Sequence, residues 1–131
     1  MASKKVLVVD DEIHIVHVVT IKLRNNGYDV VTACNGAEAF EIACQERPDI
    51  IVTDYQMPIM SGMELVEKLR GIEATKDIPV ILLTARSFAI EDNQREDLGI
   101  SQCLSKPFSP KELLESIEDI LYERINNEAT S

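Results

Sequence analysis

Short runs of aliphatic and β-branched residues alternate along this chain with longer segments of helical spacing, and this alternation limits the possible folds more than any other feature. The runs cover residues 6–9, 29–32, 50–53, 80–84 and, more weakly, 102–104. The first, third and fourth are nearly continuous in Val, Ile and Leu, as expected of strands covered on both faces. Strands that alternate with helices form right-handed β-α-β units on a parallel sheet. The pattern therefore predicts an α/β fold of the (βα)5 type, five β-α units on an open parallel sheet.

Helix ends are marked by specific residues. Asn35-Gly36-Ala37-Glu38 offers a capping side chain with Glu three residues on. Ser109-Pro110-Lys111-Glu112 combines a capping Ser, a Pro at the first helical position and a Glu placed to reach back. Beyond it, Leu113, Leu114, Ile117, Ile120, Leu121 and Ile125 make one apolar stripe. The first helix is predicted over residues 13–26, ended by Gly27, and residues 126–131 read as a polar, fraying tail. A chain of 131 residues without repeats or linkers reads as one domain, residues 1–131, with a core over about 5–123.

No apolar run approaches the ~18 residues of a membrane span. The N-terminal residues lead straight into a strand-like run without a signal peptide's apolar stretch, so a cytoplasmic location is expected. The net charge of −10 argues against direct nucleic-acid binding, which needs Lys and Arg to neutralise phosphates. Cys34, Cys44 and Cys103 form no C-x-x-C pair and read as reduced thiols.

In an open parallel sheet, ligands bind beyond the carboxyl ends of the strands, near the point where strand order reverses. There the first run ends in Asp10-Asp11-Glu12, the third in Asp54 and the fourth in Thr84-Ala85, while Lys106-Pro107 follows the fifth. Carboxylates converging on one edge resist ionisation unless a cation is present. Oxygen ligands that leave room for water suit Mg²⁺. Lys106 adds a fixed positive charge and Thr84 a hydroxyl donor. Together these groups suit phosphoryl transfer, with Asp54 as nucleophile and the cations neutralising the moving group. Singly, each has an ordinary reading: a helix cap, a loop feature, a strand end, a solvated charge. The joint placement favours the site.

At this point the chain resembles the receiver domain of bacterial two-component response regulators, of the single-domain, chemotaxis-regulator-like kind. The resemblance rests on Val6-Leu7-Val8-Val9-Asp10-Asp11-Glu12, on Thr53-Asp54-Tyr55-Gln56-Met57-Pro58-Ile59-Met60-Ser61-Gly62, on Pro79-Val80-Ile81-Leu82-Leu83-Thr84-Ala85 and on Ser105-Lys106-Pro107-Phe108. It implies a doubly wound five-stranded parallel sheet in the order 2-1-3-4-5, with helices on both faces. It implies Asp54 as phosphoacceptor, and Asp11, Asp54 and the Gln56 backbone carbonyl as Mg²⁺ ligands, with Asp10 acting at the metal through water. Lys106 is implied to pair with the acceptor or its phosphoryl oxygens, Thr84 to bond the phosphoryl group in the active state, and Lys106-Pro107 to be cis.

The partners so implied are a sensor histidine kinase or phosphotransfer protein and a downstream protein target, with the chain a monomer or a phosphorylation-dependent dimer. With the chain taken as the full gene product, no output domain is expected beyond Glu123, and output is expected to pass through another protein. The chain is expected not to be an enzyme, catalysing only its own phosphorylation and dephosphorylation. Relatives commonly carry Tyr or Phe where this chain has Cys103; switching is therefore expected to run through Thr84, Ala85 and the loop over residues 85–90, led by Phe88.

Two other functions share part of this pattern. A haloacid-dehalogenase-like phosphohydrolase also uses an Asp nucleophile, but Asp54-Tyr55-Gln56 lacks the second carboxylate of that family's D-x-D. A receiver-like scaffold that is never phosphorylated does not need the complete acidic, Thr and Lys set. His14 and His17, three residues apart on the first helix, read as surface histidines without a third ligand, and the Met residues around the acceptor loop as packing.

Overall fold

In a computed structural model that describes residues 3–85 and 97–130, the apolar runs form strands β1 (Lys5–Val9), β2 (Asp29–Ala33), β3 (Ile50–Asp54), β4 (Val80–Ala85) and β5 (Ile100–Lys106). They pair in parallel in the order β2-β1-β3-β4-β5, as the sequence resemblance implied. Among the described residues the helices are α1 (Ile13–Asn25), α2 (Gly36–Glu46), α3 (Gly62–Arg70) and α4 (Pro110–Thr130). The segment expected to carry a further helix between β4 and β5, including Phe88 and Ile90, falls on residues 86–96, outside the described part.

Alternation along the strands splits the core into two layers. Val6, Val8, Ile50, Val52, Ile81 and Leu83 face α1 and α4, whose Val19, Leu23, Leu113 and Ile117 complete that layer. Leu7, Val9, Ile51, Val80 and Leu82 face the other way, against Ala39 and Ala43 of α2 and Leu65, Val66 and Leu69 of α3. Every residue of β3 is buried, which explains why its run shows no polar alternation. Each aliphatic side chain buried this way contributes about 1.5–3 kcal/mol. Strand β5 lies at the sheet edge and is longer than the sequence suggested. Its Ser101, Gln102 and Ser105 hide the strand signal because an edge strand tolerates polar side chains.

The helix ends follow the expected chemistry with some differences. The Asn35 side chain accepts from the Glu38 N–H at 2.9 Å, and Ser109 Oγ accepts from the Glu112 N–H at 3.0 Å. Gly27 takes a φ of +90° just beyond α1, in the region that favours glycine. Helix α4 runs on to Thr130, past the expected polar tail, because no Gly or Pro interrupts it. Missed from the sequence is a capping box at α3: the Glu64 N–H donates to Ser61 Oγ at 3.2 Å, and the Ser61 N–H to Glu64 Oε1 at 3.5 Å. The signal, Ser followed three residues later by Glu, was present. No helix among the described residues is long and apolar enough to cross a membrane.

Arg70, the last residue of α3, ties together the segments that enter β4 and β5. Its guanidinium donates to the carbonyls of Thr75 (3.3 Å) and Lys76 (3.0 Å) before β4. It also donates to those of Leu98 (2.7 Å) and Gly99 (3.2 Å) before β5. A planar fork of N–H donors suits such a cluster better than an ammonium does.

Gly62 fixes the other end of α3 against the site. Its N–H donates to the Tyr55 carbonyl at 2.8 Å, and a Cβ in its place would run into the Asp54 carbonyl oxygen and meet Leu82 Cδ2 at 3.2 Å. Backbone on one side and a packed leucine on the other leave little room to relax. Gly62→Ala is therefore expected to lower stability by about 1–3 kcal/mol in urea unfolding, the usual range for overpacking.

Candidate functional site

Asp10 follows β1, Asp54 ends β3, Thr84 lies near the end of β4 and Lys106 ends β5, so four strands deliver these side chains to one edge of the sheet. Register brings the central ones level: Asp54 pairs with Leu83, and Thr84 pairs with Ser105, one step nearer the edge. The Lys106 ammonium closes the arrangement. Its Nζ lies 3.0 Å from Asp10 Oδ2, 3.1 Å from Glu12 Oε1 and 3.3 Å from Asp54 Oδ2. The Lys106-Pro107 peptide is cis, as implied.

The carboxylates differ in their surroundings. Asp10 is fully buried, with Oδ1 accepting from the Glu12 N–H at 2.9 Å, and Asp54 is nearly so. Carboxylate oxygens of Asp10, Glu12 and Asp54 all lie within 4.8 Å of one another, a spacing that one cation can bridge. Asp11, expected to converge with Asp10 and Asp54, is exposed and lines the cleft instead. Glu12, the N-cap of α1, brings its carboxylate into the cluster as well, which the sequence reading did not include. The cleft, about 660 Å³, is lined by Asp11, Glu12, Asp54, Tyr55, Gln56 and Lys106 among others.

Burial and charge pull these groups in opposite directions. Desolvation pushes the Asp54 carboxyl above its ordinary range, the Asp10 charge adds to this, and Lys106 and the Gln56 N–H only partly offset it. Asp10 is likewise pushed up, chiefly by burial, against the Glu12 N–H and Lys106. Burial alone would lower the pKa of Lys106, but its bonds to Asp10 and Glu12 and the charges of Asp10 and Asp54 together raise it. The pocket holds more negative charge than one ammonium neutralises, and hard oxygen donors beside an open cleft fit Mg²⁺ with part of its water shell.

Thr84 is buried. Cys103 is half-buried, pairs with Leu82 in the sheet and packs on the α2–α3 side. Ala85 ends β4, while Phe88 and the rest of the expected switch loop lie outside the described residues. One feature of the acceptor loop was not read from the sequence. Ile59 has a φ of +74°, and the Met60 N–H donates to the Pro58 carbonyl at 2.8 Å, closing a γ-turn. A β-branched residue is an outlier there, where Gly is the usual choice. His14 and His17 are exposed on α1; His14 Nε2 lies 3.7 Å from Glu12 Oε2.

A doubly wound sheet with a Lys-bridged acidic cleft at its carboxyl edge defines a class of phosphoryl-handling α/β protein. Residues 6–118 match the response regulator receiver domain, and the chain belongs to that family. It is 36% identical over 121 residues to the phosphate regulon transcriptional regulatory protein PhoB of Pseudomonas aeruginosa, covering 92% of this chain and 53% of the relative. The chemotaxis response regulator CheY4 of Vibrio cholerae has a similar structure, with a TM-score of 0.83 at 35% identity, covering 91% of this chain and 99% of that one. So does the receiver domain of the sensor histidine kinase PA1611 of P. aeruginosa, whose structure has a magnesium ion coordinated in the active-site cleft. There the TM-score is 0.79 at 28% identity, covering 90% of this chain and 97% of that one.

The chain spans about half the length of the curated relatives it matches. Receiver domains bind Mg²⁺ in the acidic pocket and interact with histidine kinases. The family also corrects one expectation. Receiver domains are phosphoryl-transfer domains that carry out autophosphorylation and dephosphorylation, so classing this chain as a non-enzyme does not stand.

Because the folded-state pKa of Asp54 is raised, its ionised form weakens the metal-free fold; the penalty is full above that pKa, shrinks as pH falls below it and is gone below the ordinary carboxylate value. Asp54→Asn removes the charge at any pH. The variant is expected to melt above the wild type at pH 7 without metal, and the difference to shrink as pH falls through the raised pKa. A thermal melt series in chelator checks this.

Proposed function

We propose that Asp54 accepts a phosphoryl group from a sensor histidine kinase or a phosphotransfer protein, and that the modified chain then changes its affinity for a downstream protein target. The observation that carries this reading is the Lys106 ammonium, which lies within 3.3 Å of a nearly buried Asp54 at the floor of an open cleft. In the transfer an Asp54 oxygen forms the new P–O bond while the donor's bond to phosphorus breaks, its electron pair leaving with the donor. Asp10, Asp11, Asp54 and the Gln56 carbonyl would hold Mg²⁺, with Asp10 acting through water. When bound, the ion supplies positive charge to both the carboxylates and the phosphoryl oxygens. The magnesium in the cleft of the PA1611 receiver domain supports this assignment.

Lys106 orients the acceptor and stabilises charge on the arriving group, and Thr84 donates its hydroxyl to a phosphoryl oxygen once transfer is complete. Switching involves Thr84, Ala85, Phe88 and Cys103, led by the loop after β4, since the Cys103 thiol lacks the reach of the aromatic ring common there in relatives. The chain acts in the cytoplasm, as a monomer or a phosphorylation-dependent dimer, without itself binding nucleic acid.

With acetyl phosphate and Mg²⁺, intact protein is expected to gain the mass of one phosphoryl group and Asp54→Asn none; undiminished labelling of the variant overturns the assignment. Mg²⁺ alone is expected to raise the melting temperature. At a hundred times its dissociation constant the ion would add roughly 2.7 kcal/mol, provided the unfolded chain binds none. A melting temperature unmoved by millimolar Mg²⁺ counts against the metal site.

A further inference from the structure

We propose that Glu12 is a positioning residue for phosphoryl transfer: it holds the Lys106 ammonium at the β1 side of the cleft before the phosphoryl group arrives, and so slows the loading of Asp54. The inference rests on the reading of Asp54 as acceptor.

An ammonium has three N–H donors, and Lys106 faces three carboxylates. Its contact with Glu12, 3.1 Å, is shorter than that with Asp54, 3.3 Å. A phosphoryl group on Asp54 inherits the donor that bonds Asp54 and brings further oxygens, and a second donor reaches those only if another partner yields. Asp10 cannot, because its side chain is fully buried and would be left as an unpaired charge. Asp54 is the group being modified. The Glu12 side chain is 46% exposed and can turn to water at little cost.

The orientation of Glu12 is not explained by its helix. It is the N-cap of α1, yet its side chain makes no capping hydrogen bond; only its backbone carbonyl accepts, from the N–H groups of Ile15 and Val16. The carboxylate lies between Lys106 and His14. Its negative charge also borders the cleft that an anionic donor must enter.

Two variants separate the contact from the charge. Glu12→Gln keeps the length and removes the charge, and a neutral amide is a weaker partner for an ammonium. Glu12→Asp keeps the charge but is one methylene shorter, which takes it out of reach of Nζ. In metal-free protein, ¹³C relaxation at Lys106 Cε is expected to show an ordered side chain in the wild type and a looser one in both variants. With acetyl phosphate and Mg²⁺, both variants are expected to load roughly threefold faster, the scale of a partly exposed ion pair.

Unchanged Lys106 order in both variants overturns the proposal. So does a Glu12→Asp variant that loads at the wild-type rate while Glu12→Gln is faster, since charge alone would then be responsible. A wild-type chain that takes up no phosphoryl group overturns the Asp54 reading and this role with it. Because the relaxation needs neither donor nor metal, the two failures are distinguishable.

Discussion

The ammonium of Lys106 makes the rest of the site possible. Two carboxylates removed from water and placed within a few ångströms of each other favour protonation, and burial has pushed both Asp10 and Asp54 that way. A single cation bonded to both, and to Glu12, brings them together without fully neutralising them. The site therefore remains short of positive charge. That shortage is a physical reason for a metal ion and for a tetrahedral anion to enter together, each making the other's binding less costly.

The sheet delivers this chemistry because all its strands run the same way. Buried β3 sits between β1 and β4, so Asp54 emerges at the centre of the carboxyl edge, with Asp10 on one flank and Thr84 on the other. Lys106 comes from the far edge strand and spans the remaining distance with its long stem. A shorter cation at the same position would reach neither Asp10 nor Glu12. The apolar layers above and below keep the strands in register, since a slip of one residue would exchange the side chains of Ile51 and Val52 between faces.

What could be read from the sequence follows from these constraints. Strand positions and the edge occupied by Asp10, Asp54, Thr84 and Lys106 were legible because burial on both faces leaves continuous Val, Ile and Leu, and because the carboxyl ends of parallel strands share one edge. That Glu12 brings its carboxylate to Lys106 beside Asp10 was not legible, as it depends on where the chain turns into α1, while Asp11 lines the cleft. Nor was the left-handed backbone of Ile59, since local preference at a β-branched residue points the other way and only the surrounding loop imposes it. The full length of β5 was hidden by polar residues that an edge strand accepts.

The guanidinium of Arg70 divides the sheet mechanically. It gathers the chain just before β4 and just before β5 onto one rigid planar group, at the end of the sheet away from the acidic cleft. Those two strands are thus pinned at their entrances and carry Thr84 and Lys106 near their exits. A displacement at the cleft then resembles the tilting of a beam clamped at one end. In that image the clamp lies near Val80 and Ile100, and the free ends carry Thr84 and Lys106.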